Sequence, residues 1–286
     1  MSLKHMIALA AGGNGDGQAL GLASSLASQH DGVVEVLPFY PESAADMVAL
    51  GMTLGATLSQ EAIEELAAAE HGLQVRIETT AKAAANEADV VFGAGEGAPR
   101  MSVLGRGLRP PMALNRIAPL SDLVIFGQGH LDQGPGRDLF GQCLLGDRAP
   151  ILVARLEADS LSGPAVIAWD GSPQAGRAVK AALPLLAMAS EIHIVQCVTG
   201  LDRVATDPDT DLLNAYLKLH GVGEGSPVLI EGADEGAALI AAAKGKLATL
   251  LVAGAWGHSR LREAVFGGAT RAFLNCKDGP NLLLAH

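Results

Sequence analysis

The spacing with most chemical content in this chain is Gly254-x2-Gly257-x9-Gly267-Gly268, followed by Thr270. Two glycines three apart allow a tight turn and a close approach of backbone to a ligand. The second glycine pair opens a predicted helix beginning near Ala269, so unpaired N–H groups would face a phosphate docked at its start. His258 could hydrogen-bond that phosphate or cap the loop, and Arg260 and Arg262 are the loop's only cations. A second group is Asp170-Gly171-Ser172, a carboxylate, a turn glycine and a hydroxyl able to start a helix. Trp169, just before it, reads as core. Catalysis is harder to assemble. No HExxH, GxSxG or GxxxxGK[ST] occurs, so neither a nucleophile with a partnered base nor a metal with an oriented water is indicated.

These residues fall at the ends of short apolar runs that alternate with helix-period segments, the pattern of parallel strands joined by crossover helices. In the second half, strands are predicted at Ala165 to Trp169, Ile192 to Val198, Val228 to Glu231, Thr249 to Ala253 and Leu282 to Ala285. Helices lie between them, starting after Ser172, at Asp211 and at Asp234. The glycine loop thus begins where the fourth strand ends, at the carboxyl edge, where open parallel sheets bind ligands.

The first half gives the same order more weakly. Strands are predicted at Ile7 to Ala10, Val33 to Phe39, Leu73 to Thr79, Asp122 to Phe126 and Ile151 to Ala154, with helical segments up to about His71. Residues 93–119 are rich in Gly, Pro and Arg and give no clear element beyond a strand-like Val90 to Phe92. At roughly 150 residues per domain, 286 residues suggest two domains. The polar, Gly-terminated segment 157–163 reads as a linker between domains 1–156 and 164–286. The expected class is α/β, two similar open five-stranded parallel-sheet domains of Rossmann-like form with flanking helices.

From Asp170-Gly171-Ser172 through Gly254, Gly257 and Gly267 to the terminal strand, essentially all of 164–286 resembles the universal stress protein family. Its nucleotide-binding members carry Gly-x2-Gly-x9-Gly followed by Ser or Thr. The resemblance implies that Asp170, with Gly171 and Val198 at adjoining strand ends, meets the nucleoside. It further implies that Gly254, Gly257, His258, Gly267, Gly268, Ala269 and Thr270 surround the phosphates, with ATP and Mg as the implied cofactors. Gly268 stands where the family's hydroxyl residue is expected, and Thr270 could supply that hydroxyl. A tandem member would pair its two domains internally; an unknown protein partner and a homodimer stay open. Three functional classes follow: a stress-response adenine-nucleotide binding protein, a nucleotide-free interaction scaffold and a weak ATPase.

The first half looks like a decayed copy. Aligning Ile7 to Ala10 with Val166 to Trp169 sets Ala11 opposite Asp170, and Gly127-Gln-Gly129-His130 is one residue shorter than Gly254 to Gly257. No nucleotide is expected there in the usual way. The Gly12 to Gly17 turn fails the GxGxxG register, because Gln18 or Leu20 stands where the third glycine is needed.

Composition bounds the rest. Hydrophobic residues make up 49% and charged residues 18%, enough apolar material for buried cores. Twenty Lys and Arg against 31 Asp and Glu give a net charge of −11, and no basic stretch exists to neutralise a phosphate backbone, so nucleic acid is an unsuitable partner. Cys143, Cys197 and Cys276 are scattered in no metal-ligand or disulfide pattern and suit reduced core positions in the cytoplasm. No apolar run approaches the ~18 residues of a membrane span.

Overall fold

A computed structural model describes residues 2–39, 59–105, 109–132, 134–199, 201, 207–255 and 268–286. The first half contains β1 (His5–Ala10), α1 (Asp16–His30), β2 (Val33–Pro38), α2 (Gln60–Glu87), β3 (Val91–Phe92), β4 (Arg100–Val103), α3 (Pro110–Ile117), β5 (Leu123–Gly127), α4 (Gly134–Gly141) and β6 (Ile151–Ala154). The second contains β7 (Ala165–Ala168), α5 (Pro173–Leu186), β8 (Ile192–Cys197), α6 (Thr210–Leu219), β9 (Ser226–Ile230), α7 (Glu235–Gly245), β10 (Leu250–Gly254), α8 (Gly268–Asn275) and β11 (Asn281–Ala285).

The α/β class holds, but the two halves share a single sheet. Its order is β3-β4-β2-β1-β5-β6-β11-β10-β7-β8-β9. All pairs are parallel except β6 with β11, which run antiparallel with Val153 opposite Leu282 and Ile151 opposite Leu284. Counted outward from this seam, β6-β5-β1-β2-β4 mirrors β11-β10-β7-β8-β9, and β3 adds an outer strand to the first half. The joint has a plain cause. An apolar edge strand with unpaired N–H and C=O groups is costly in water, and the two halves satisfy each other's edges.

Burial follows the same logic. Met6, Ala8, Ile125, Leu152, Ile167, Val252 and Leu283 face one layer with α1, α2, α5 and α6. Their neighbours Ile7, Val124, Val153, Val166, Leu251 and Leu284 face the other, with α3, α4, α7 and α8. Alternate residues of a strand point to opposite faces, and both faces are covered, which is why the central strands read as unbroken apolar runs. Each layer crosses the seam. Segment 157–163 is accordingly no slack tether: Ala158–Ser162 forms a 3-10 turn with Leu161 buried in the first layer. The Asn281 side chain accepts from the N–H groups of Arg155 and Leu156 and donates to Ser160 Oγ.

One expected strand is corrected. Leu73 to Thr79 lies inside α2. Leu73, Val75, Ile77 and Thr79 alternate as a strand would, but Ile77, Ala81, Ala84 and Ala85 are the buried positions, at helical spacing. The surrounding Ala- and Glu-rich sequence favours helix, and Ser59 caps it by accepting from the Ala62 N–H at 3.2 Å. The third strand of the first half is instead β4, drawn from the interval that gave no clear reading, with β3 beside it.

Candidate functional site

The candidate site grows from the order of four strands. β10 and β7 are parallel neighbours, yet the chain leaves β7 toward β8 on one side and β10 toward β11 on the other. Loops leaving such a pair diverge and open a crevice at the carboxyl edge. A cavity of about 170 Å³ lies there. Its described lining includes Trp169 and Asp170 after β7, Cys197 at the end of β8, Gly254 at the end of β10, and Thr270 and Phe273 of α8.

Local chemistry fixes each wall. Asp170 Oδ1 accepts from the Ser172 N–H at 2.9 Å, and Ser172 Oγ accepts from the Ala175 N–H at 3.1 Å, so a carboxylate turn feeds directly into the cap of α5. Gly171 sits at φ +74°, and a Cβ added there would run into the Asp207 carbonyl, so a side chain has no room. At Gly254 an added Cβ would stand 2.6 Å from the Ala175 nitrogen. Both glycines are therefore required by packing, whatever the cavity holds. α8 is brought in by Gly236 of α7, where a Cβ would fall 2.6 Å from Ala272 Cβ and 2.8 Å from Ala269 Cα. Gly268 differs from all of these, since among the described residues nothing lies within 4 Å of the position its Cβ would take.

Of the residues singled out in the sequence, the cavity gathers Asp170, Gly254, Gly268, Ala269 and Thr270. Gly171 lies next to that wall, in the turn. Val198 stands one residue beyond β8 with its N–H bound to the Ile230 carbonyl at 3.0 Å, and it is not part of the described lining. Gly257, His258 and Gly267, with Arg260 and Arg262, fall outside the described residues. Trp169, expected in the core, does two things: it packs against the first layer and also lines the cavity. Its buried indole N–H has no partner among the described residues. Sequence reasoning gave no site role to Cys197, Leu201, Glu235, Leu239 or Phe273, which also line the cavity, beside Ala168, Val195 and Ala253 of the strands. Leu239 and Phe273 arrive from helices, where an apolar residue carries no signal beyond core. No Lys or Arg is among the described lining residues, while Asp170 and Glu235 are. Among the described residues, an anionic group entering here would meet backbone N–H groups at the start of α8 and no cationic side chain.

The mirror position in the first half is filled. Asp16, buried at the start of α1, accepts from the N–H groups of Ala11 and Gly12 at 2.8 Å each and meets His130 Nε2 at 2.8 Å. His130 Nδ1 accepts from the Gly127 N–H at 3.0 Å, so the ring proton belongs on Nε2 and is donated to Asp16. A Cβ at Gly129 would fall 2.6 Å from the Asn14 carbonyl oxygen, and Gly127 is pressed still more closely onto Gly15. A carboxylate thus does reach Ala11, supplied from five residues downstream, and it is spent on closing the turn.

No protein-family model matches the chain, and no curated protein matches it by sequence. Solved structures do resemble it. A universal stress protein from Archaeoglobus fulgidus DSM 4304 matches at TM-score 0.65 and 14% identity, over 99% of this chain and 96% of that one. A putative universal stress protein from Pseudomonas aeruginosa UCBPP-PA14 matches at TM-score 0.55 and 12% identity, over 99% and 93%. The cytoplasmic domain of a prokaryotic cation chloride cotransporter matches at TM-score 0.53 and 10% identity, over 100% and 95%. No described helix is long and apolar enough to cross a membrane. Along nearly its whole length, then, this chain has the universal stress protein fold.

Proposed function

We propose that this protein is a tandem universal stress protein that binds one adenine nucleotide, ATP with Mg, in its second half. The observation that carries the reading is the cavity at the β7–β10 divergence, with Asp170 on one wall and the first turn of α8 on another. Asp170 has a second carboxylate oxygen beyond its turn hydrogen bond, suited to a ribose hydroxyl or a base amino group. The N–H groups of Gly268, Ala269 and Thr270 open the helix and have no helical acceptor among the described residues, and the Thr270 hydroxyl belongs to the same turn. The Trp169 N–H, without a partner among the described residues, is a further donor waiting for an acceptor. With Asp170 and Glu235 nearby, a phosphate chain gains from a Mg²⁺ ion that offsets like charge. The residues 1–156 and 164–286 serve as the two paired domains, the first without a nucleotide of its own.

The scaffold reading keeps one specific support. Gly171 and Gly254 are needed by the apo fold, so they do not by themselves require a ligand. The cotransporter domain likewise has this fold in another setting. Gly268 separates the two readings. Its Cβ position is open among the described residues, so Gly268→Val leaves the apo melting temperature within a few degrees and obstructs a phosphate at α8. In wild type, Mg-ATP at about 100 times its Kd stabilises the fold by roughly 2.7 kcal/mol. Gly268→Val and Asp170→Ala lose most of that shift. Absence of any shift in wild type, with no saturable heat on titration, would leave the scaffold reading; equal shifts in all three would move the nucleotide elsewhere.

A further inference from the structure

α8, an element of the second half, touches both halves of the molecule. Its first turn lines the cavity, and carbonyls of its last turn accept from Gln128 and Arg155 of the first half. The last carbonyls of a helix lack intrahelical partners; here the Cys276 N–H turns back onto the Ala272 and Phe273 carbonyls, and side chains of the first half take the Phe273 and Leu274 carbonyls. Arg155, one residue past β6, donates through Nη2 to the Phe273 carbonyl at 2.6 Å and through Nη1 to the Pro280 carbonyl at 3.0 Å. Its Nε donates to Gln128 Oε1 at 2.7 Å, and Gln128 Nε2 donates to the Leu274 carbonyl at 3.0 Å. Burial lowers the Arg155 pKa to about 10, which leaves the guanidinium charged at neutral pH. A cation at a helix C-terminus is favoured by the helix dipole. Just beyond the helix, Lys277 pairs with Asp132 at 2.8 Å.

Phe273 joins the two ends within one residue. Its carbonyl is held by Arg155, and its ring lines the cavity. The holder is itself stiff. Gln128 follows Gly127 in the loop that His130 and Asp16 lock onto the first-half turn. With eight residues, α8 is only about 12 Å long, so displacement of its last turn carries to its first.

We infer that Gln128 and Arg155 are positioning residues for the nucleotide site of the other half: the first half, its own crevice closed, braces α8 so that the N–H groups of its first turn face Asp170 across the cavity. This rests on the nucleotide reading above for what the site binds, though not for the brace itself.

The test uses the full chain with Gln128→Leu, which removes both side-chain hydrogen bonds, and Arg155→Lys, which keeps the charge and loses the fork. Leu161→Ala is the control, a loosened seam on the opposite face of the sheet from α8. Mg-ATP affinity is measured by calorimetry at a temperature where every variant is folded, and amide exchange of 268–275 is followed without ligand. Both positioning variants should bind roughly threefold to thirtyfold more weakly and exchange faster at 272–274, where the N–H groups bond back to the first turn of the helix. Leu161→Ala should keep the wild-type Kd and exchange even where its melting temperature falls further. Loss of affinity no greater than in Leu161→Ala, or unchanged exchange at 272–274, overturns the brace. If wild type takes up no Mg-ATP, the nucleotide reading falls alone; the exchange comparison then decides the brace, supporting it only where Gln128→Leu accelerates 272–274 and Leu161→Ala does not.

Discussion

Replacing Asp16 with Ala removes the acceptor on which the first-half crevice closes. The carboxylate is 3% exposed and takes three donors, the N–H groups of Ala11 and Gly12 and the Nε2–H of His130, each at 2.8 Å. His130 is 1% exposed and has no other place to put that proton, because its Nδ1 is occupied by the Gly127 N–H. A buried donor left unsatisfied costs about 1–3 kcal/mol. Some of the three regain water as the turn opens, so the net expectation is a loss of about 3–5 kcal/mol, a large part of a stability of about 5–15 kcal/mol. Urea unfolding followed by circular dichroism measures it, read as a lower midpoint at unchanged slope. Asp16→Asn should fall in between, since its oxygen still accepts while its NH₂ faces a donor. Asp16→Ala combined with His130→Ala should cost less than the sum of the two, by roughly 0.5–3 kcal/mol, because each single change orphans the other's partner. A loss below about 1 kcal/mol for Asp16→Ala, or simple additivity in the pair, would refute the closed crevice.

Other perturbations follow from the same geometry. Gly254→Ala should destabilise the ligand-free protein by about 1–3 kcal/mol through overlap with the start of α5, seen as a lower melting temperature; a neutral result would disprove the packing account of this glycine. Leu161→Ala should cost about 2–5 kcal/mol in the same assay if segment 157–163 is core rather than tether. Burial raises the Asp147 carboxyl, whose Oδ2 has no partner among the described residues. The folded state therefore holds this proton more tightly than the unfolded one, and the associated stability is present below the ordinary carboxylate pKa and lost as pH rises through the raised value. Asp147→Asn should accordingly stabilise the fold at pH 7, with the gain vanishing near pH 3; a gain equal at both would contradict it.

Much of this architecture is legible in the chain because the strands are buried on both faces, so β1, β5, β6, β7 and β10 appear as short apolar runs with turn residues after them. α2 defeats the same reasoning: three alternating apolar residues, Leu73, Val75 and Ile77, mimic a strand, and the decision rests on which of them are covered, a tertiary fact. β4 is short and only partly buried, so it carries little pattern, while β3 shows as no more than the strand-like Val90 to Phe92. The seam is illegible for a different reason. Nothing local to Ile151–Ala154 or Asn281–Ala285 says that these strands meet each other. In the site, the residues at strand ends were readable, because a carboxylate or glycine after an apolar run is conspicuous. Gln128 and Arg155 were not, since Arg155 reaches a carbonyl 118 positions away.

The most direct measurement is a crystal structure of the full chain grown with Mg-ATP. One nucleotide per chain is predicted, its phosphates at the N–H groups of Gly268 to Thr270 and its nucleoside against Asp170, with the Asp16–His130 pair intact in the other half. Nucleotide density at the Gly12 to Gly17 turn, or saturating Mg-ATP with none at the β7–β10 crevice, would contradict the account.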